Sequence, residues 1–217
     1  MPKAGSVAAS YNHYGQKIGS KGERTRRALI EATVDLLQSQ GLRDVSVVDV
    51  ARAAGISPAT FYVYFRGVPE VVLAALEDAS QTSAELEELI GRDWQAPGGA
   101  GAAARFIEAY TRLWNANGTI FRVRNLAAEE GDARFYQARM LAAGPMMAGI
   151  AAAVARAQEA GRVPPALSAR ACAGTILMML ERLAAVGPLT QDGDGLSYAA
   201  LKDAAAHTLL AMVGGLD

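Results

Sequence analysis

Cysteine is almost absent: Cys172 is the only one in 217 residues. That excludes an intramolecular disulfide and fits a reducing compartment. Runs of β-branched residues are scarce while alanine dominates many stretches, and there is no strand signal and no internal repeat. Helix is therefore favoured over sheet. The opening "MPKAGSVAASYNHYGQK" lacks the apolar core of a signal peptide. No unbroken apolar run reaches the ~18 residues of a membrane helix. These absences predict a soluble, cytoplasmic chain with no membrane partner. The two histidines, His13 and His207, lie far from each other and from Cys172, with no metal-ligand spacing. No phosphate loop, nucleophile elbow or zinc motif occurs. The stretch "DGDGLSYAALKD" resembles a calcium-loop fragment through Asp192, Asp194 and Asp203, but Leu196 and Ser197 stand where a ligand and the turn glycine belong. No catalytic residue, metal or cofactor is expected.

Charge is present but unevenly spread. Residues 1–66 carry nine Lys and Arg against five Asp and Glu, or +4, and residues 67–217 carry twelve against seventeen, or −5. A basic front on an acidic body implies that the front end alone meets a polyanion.

Residues 1–22 are polar and aperiodic, bear Lys3, Lys17 and Lys21, and read as a flexible basic arm. A helical pattern starts at Thr25 and should end at Gly41 in a left-handed cap. Ser46 and Asp49 form a capping-box pair for a short helix to about Ala54, with Val47, Val50, Ala51 and Ala54 inward. Gly55 supplies a turn, Ser57 caps the next helix, and Pro58 sits at its first position, where a missing N–H costs nothing. Ala51, four residues before Gly55, allows the two short helices to cross closely. That is the logic of a helix-turn-helix. Ile56, Phe61 and Phe65 belong to its core, while Ala59, Thr60, Tyr62, Val63 and Tyr64 point away. Pro69 opens a fourth helix that runs on towards Leu89; 95–105 reads as a loop. Helices are then expected at about 103–117, 119–129, 133–160 (kinked or broken at Pro145), from Ser168, and over "YAALKDAAAHTLLAMV". The expected fold is all-α, about nine helices: arm 1–22, helix-turn-helix unit 23–67, and a helical ligand-binding and dimerisation region 68–217.

The ordered set Gly41, Ser46, Asp49, Ala51, Ala54, Gly55, Ser57, Thr60, Phe61, Tyr62, Tyr64 and Phe65 resembles the DNA-binding domain of the TetR family of bacterial transcriptional regulators, from Thr25 to about Ala79. The resemblance implies a homodimer that binds a palindromic double-stranded operator and releases it when a small molecule binds. By position it implies phosphate contacts from Ser46, Thr60, Tyr62 and Tyr64, and approach to base edges by Ala59 and Val63. Ser57, Pro58, Arg66, Lys21 and Arg24 complete the expected DNA-facing set. Val48, Val63 and Val68 depart from the family, which often has Arg, His and Lys there. Fewer charges then displace counterions, and Pro58, Ala59 and Val63 can instead touch thymine methyls.

In the second half, Phe106, Tyr110, Trp114, Phe121, Met140, Met147 and Met178 are the candidate pocket lining, with Phe135, Met146 and Met179 in the same helices. Methionine suits a compliant cavity, and a lipid-like, aromatic or acyl-CoA effector would suit this one. Arg122 and Arg124 would pair with an anionic ligand group or with Glu129 or Glu130. Stripes of Leu177, Leu180 and Ala184, with Met178 and Ala185, and of Leu201, Ala205, Leu209 and Met212 suggest a dimer through the last two helices. The competing class is an all-helical enzyme or small-molecule carrier using the same cavity; a helix-turn-helix with a basic arm has no purpose there.

Overall fold

The computed structural model describes residues 14–79, 84–94, 96, 98–189 and 196–213. Lys3, His13, Gln95, Pro97, Asp192 and Asp194 lie outside the described residues. Ten α-helices run in order among them: α1 (Ser20–Leu36), α2 (Val47–Ala53), α3 (Pro58–Tyr64), α4 (Val68–Ala79), α5 (Ala84–Gly91), α6 (Gly99–Ala116), α7 (Gly118–Glu129), α8 (Ala133–Glu159), α9 (Ala169–Val186) and α10 (Tyr198–Met212). A single 3₁₀ turn, Gly187–Leu189, follows α9. No strand occurs among the described residues, so the all-α expectation holds with one helix more than foreseen.

The extra helix comes from the region read as one long fourth helix. Helix α4 ends at Ala79 and α5 begins at Ala84. Other boundaries differ too. Helix α1 begins at Ser20, so Lys21 lies in its first turn and not in the arm. It ends at Leu36, and Gly41 is not in the left-handed region; its carbonyl instead accepts the Asp44 N–H at 3.0 Å in a turn. Part of the expected loop 95–105 is helix, because Gly98 at φ 92° turns the chain straight into α6. Helix α8 runs unbroken through Pro145. Leu141, whose carbonyl loses its donor to the proline, is exposed, as are Gly144 and Pro145, so water can replace the missing bond.

By length and composition, α8 and the span 169–189 could each cross a membrane. The sequence reading counted unbroken apolar runs; averaged over a window, alanine-rich helices tolerate a single charge and still pass. Here both helices pack on each other and on the helices before them.

Leu29, Val50, Ala51, Phe61 and Phe65 form the centre of the α1–α3 unit, and Thr33 satisfies its hydroxyl on the Leu29 carbonyl at 2.8 Å. Helix α4 packs on α1 at one side and on α7 and α8 at the other. Its Val68, Val71, Val72, Ala74, Ala75 and Leu76 are buried. A second contact ties the same regions: Arg43, in the turn between α1 and α2, meets Glu130 just past α7 at 3.0 Å. Beyond α4, helices α6 to α10 enclose the larger core.

The α5–α6 corner is tightly closed. A Cβ added at Gly99 would lie 2.1 Å from the Trp94 carbonyl oxygen, which is backbone and cannot step aside. Gly99→Ala should therefore cost ~1–3 kcal/mol as overpacking. The expected observation is a lower urea midpoint at unchanged slope.

Candidate functional site

The turn between α2 and α3 is fixed by backbone bonds that a left-handed residue at position 55 permits. Gly55, at φ 68°, donates its N–H to the Arg52 carbonyl at 3.1 Å, and Ile56 donates to Ala51 at 2.9 Å. Together these satisfy the last carbonyls of α2 in a Schellman arrangement. Both helix starts are capped: Ser46 accepts the Asp49 N–H while the Asp49 carboxylate reaches back, and Ser57 accepts from Thr60. The Ser46 hydroxyl, followed by the Ser46 backbone N–H and Arg52, holds the Asp49 carboxyl below the usual range.

The caps also bear on the DNA-facing set. Ser46 Oγ sits 2.5 Å from Asp49 Oδ2, and Thr60 Oγ1 sits 2.9 Å from Ser57 Oγ, so three of the expected contacts are already partnered within the turn. On α3, Ala59, Tyr62 (47% exposed) and Val63 (38%) face outward, with Pro58 exposed at its start. Tyr64 does not: it is half-buried against the core, its hydroxyl close to Gly22 on α1. The sequence placed both tyrosines outward; the 3.6-residue period separates them by half a turn. Lys21 and Arg24 are exposed on α1. Arg66 is exposed but engaged, its guanidinium 3.6 Å from Glu70 and its backbone N–H bonded to the same carboxylate. Val48, one of the family departures, is 51% exposed on α2 beside this face.

A cavity of about 290 Å³ lies among α6, α7, α8 and α9, and Ala79, the last residue of α4, closes part of it. Tyr110, Trp114, Phe121, Met140, Met147 and Met178 line it as expected. Phe106 does not; it is fully buried one turn earlier, edge-on to Trp94 at 5.3 Å. Spacing along α6 put Phe106 and Tyr110 on one face without showing where the cavity ends. Met140 and Met178 are exposed and mark the mouth.

Two charged residues that sequence reasoning missed, Arg139 and Glu181, join Arg124 in this wall. Arg124 pairs with Glu181 of α9 at 2.9 Å, not with Glu129 or Glu130, and its side chain is only 6% exposed. Arg139 of α8 bonds the other oxygen of the same carboxylate. Arg124 also lies over the Phe121 ring at 4.9 Å and donates to Asn125 at 3.0 Å. Burial lowers the Arg124 pKa, with Glu181 opposing. Burial, helped by Glu181, raises that of the Tyr110 hydroxyl, which stays protonated. The one available signal was Glu181 itself, the single acid of α9.

The stripes assigned to a dimer contact are mostly covered by the chain's own helices: Leu177, Leu180, Ala184, Ala205 and Leu209 are buried. Facing outward are Ala171, Thr175, Met178 and Arg182 on α9 and Ala204, His207, Thr208 and Ala211 on α10. No group of metal-ligating side chains occurs among the described residues.

Comparison with known proteins bears on both parts. Residues 29–75 match "Bacterial regulatory proteins, tetR family", and residues 86–215 match "Tetracyclin repressor-like, C-terminal domain". The chain is 32% identical over 74 residues to the HTH-type transcriptional regulator AqdR of Rhodococcus erythropolis, a match covering 34% of this chain and 35% of that protein. It is 36% identical over 77 residues to the regulator BetI of Brucella anthropi, covering 35% and 39%. The chain thus matches little more than a third of the length of these curated relatives. Among solved structures it resembles the fatty acid degradation regulator FadR from Bacillus halodurans, at TM-score 0.63 and 16% identity over 90% of this chain and 97% of that one. It also resembles FadR from Bacillus subtilis in complex with stearoyl-CoA, at 0.64 and 18% over 88% and 99%. At such identities the likeness is one of fold.

No heavy atom lies within 4 Å of a Cβ placed on Gly55. The cost of Gly55→Ala is therefore the backbone cost of a left-handed residue, about 1–2 kcal/mol. Gly55→Asn should lose less, because asparagine tolerates that region better, and thermal melts of the two variants separate the cases.

Proposed function

We propose that this chain, which belongs to the TetR family of bacterial transcriptional regulators, is a ligand-responsive repressor that binds a palindromic operator as a homodimer and leaves it when a small molecule fills the cavity. The observation that carries the reading is the position of α4. It packs on α1 of the helix-turn-helix, and its last residue forms part of the cavity wall. A ligand that prefers one tilt of α4 biases the position of α3. In a dimer the two α3 helices must enter successive major grooves ~34 Å apart, so a small swing breaks the match.

In this reading residues 23–67 are the DNA-binding unit and 68–217 the effector and dimerisation region. Tyr62 and the α1 cations Lys21 and Arg24 hold phosphates; Pro58, Ala59 and Val63 meet bases through apolar contact, chiefly thymine methyls. The outward faces of α9 and α10, where alanine and threonine stand beside Met178, Arg182, Asp203 and His207, pack against their symmetry copies as a four-helix bundle.

The test of the whole reading is calorimetric. An effector titrated into free protein and into the operator complex should bind the complex more weakly, by a coupling of ~1–3 kcal/mol. Equal affinities would refute release by ligand. Tyr62→Phe should weaken duplex binding by ~1 kcal/mol at fixed salt, equally for operator variants, because phosphate contacts carry no sequence information. Tyr64→Phe should change it less. Ala211→Glu places a charge on the outward face of α10, and light scattering should then report the mass of one chain where the unaltered protein gives that of two.

A further inference from the structure

Glu181 is the only carboxylate in the cavity wall, and two guanidiniums converge on it. The wall therefore carries a formal charge of +1 among residues that are otherwise mostly apolar. The cation left over is Arg139, which keeps part of its hydration at the mouth and so offers an incoming anion a positive charge that is only partly solvated. The two arginines are not equivalent. Arg124 is fixed by Glu181, Asn125 and the Phe121 ring. Arg139 is 29% exposed, stands next to Met140 at the mouth, and gives one N–H to Glu181. A guanidinium has five such donors in a planar fork, so Arg139 can take a second oxyanion. Trp114, in the same wall, holds a buried indole N–H with no acceptor. Beside Glu181, the polar features of the cavity are thus two guanidiniums, the Trp114 N–H and the Tyr110 hydroxyl, all able to donate.

Volume limits the rest of the ligand. At about 290 Å³ the cavity stands at the lower end of small-molecule sites, which run ~300–1,000 Å³. An acyl-CoA, one of the effectors expected from sequence, is far larger than this cavity as it stands.

Resting on the effector reading above, we infer that the cavity takes a compact apolar monocarboxylate, with its head group on Arg139 and its body among Leu113, Phe121, Met146 and Met147. Glu181 is the internal counter-ion: it occupies the guanidiniums when the cavity is empty, and the ligand's carboxylate competes with it.

The test uses the full chain without DNA. Benzoate, phenylbutanoate and naphthoate are titrated by calorimetry, each beside its neutral primary amide. At least one acid should bind about tenfold or more tightly than its amide, the worth of a hydrogen bond to a charged group. Arg139→Gln should abolish that preference. Glu181→Gln, which removes the competitor, should tighten the acid by about tenfold and leave the amide unchanged. Equal binding of acid and amide, binding of neither across the series, or weaker acid binding by a cooperatively folded Glu181→Gln would each overturn the proposal. Where Glu181→Gln does not melt cooperatively, the acid-to-amide ratio in the unaltered protein and in Arg139→Gln decides alone. A protein that binds the acid but no duplex would leave this proposal standing and remove the repressor reading.

Discussion

Helix α4 is buried on two sides, and the rest of the molecule is arranged around that constraint. Val71 and Val72 are fully enclosed and Leu76 nearly so. Each such aliphatic side chain contributes about 1.5–3 kcal/mol by leaving water. Exposing these three would cost about as much as the entire net stability of a typical domain, 5–15 kcal/mol. The helix therefore cannot come loose from either neighbour to transmit a signal. In the proposed switch it tilts as a packed unit, carrying α1 on one side and the cavity wall with it. Stiffness of this kind makes a compliant cavity, rich in methionine, compatible with a rigid readout.

The surface of α2 and α3 has an unusual balance. Val48 and Val63 stand exposed where charge or hydrogen bonding is common in such proteins, and Arg52 and Arg66 are paired with Asp49 and Glu70. Exposed pairs of this sort contribute little to stability, but they reduce the charge offered to a polyanion. Under the repressor reading, affinity leans on the cations of α1 and on apolar contact, a combination with a shallower dependence on salt than a fully cationic face.

How much was legible in the sequence follows from the range of the interaction concerned. The two caps, the left-handed Gly55 and the first-position Pro58 are local, set within a few residues, and all were readable. Gly41 misled because a glycine after a helix need not take positive φ when a following backbone N–H, here that of Asp44, closes the turn on its carbonyl. Periodicity identified one stripe through Leu177 and Leu180 and another through Leu209 but not what covers them; the answer, the chain's own α6 and α8, is tertiary. The cavity was found only in outline for the same reason. Six of seven proposed lining residues face it, yet Arg139 and Glu181 lie 42 positions apart, and nothing along the chain announces that they meet.

The contact between Arg43 and Glu130 changes what kind of motion the head of the molecule can make. A body attached at a single point is free to turn in any direction. Pinned at a second point, it turns only about the line that joins them. Here one attachment is covalent, through α4, and the other is an exposed ion pair, soft and screened by salt. The axis is therefore well defined in dilute buffer and blurred in concentrated salt. Glu130 follows α7, the helix that carries Arg124 into the cavity wall, so under the proposed reading the position of that axis answers to what the cavity holds.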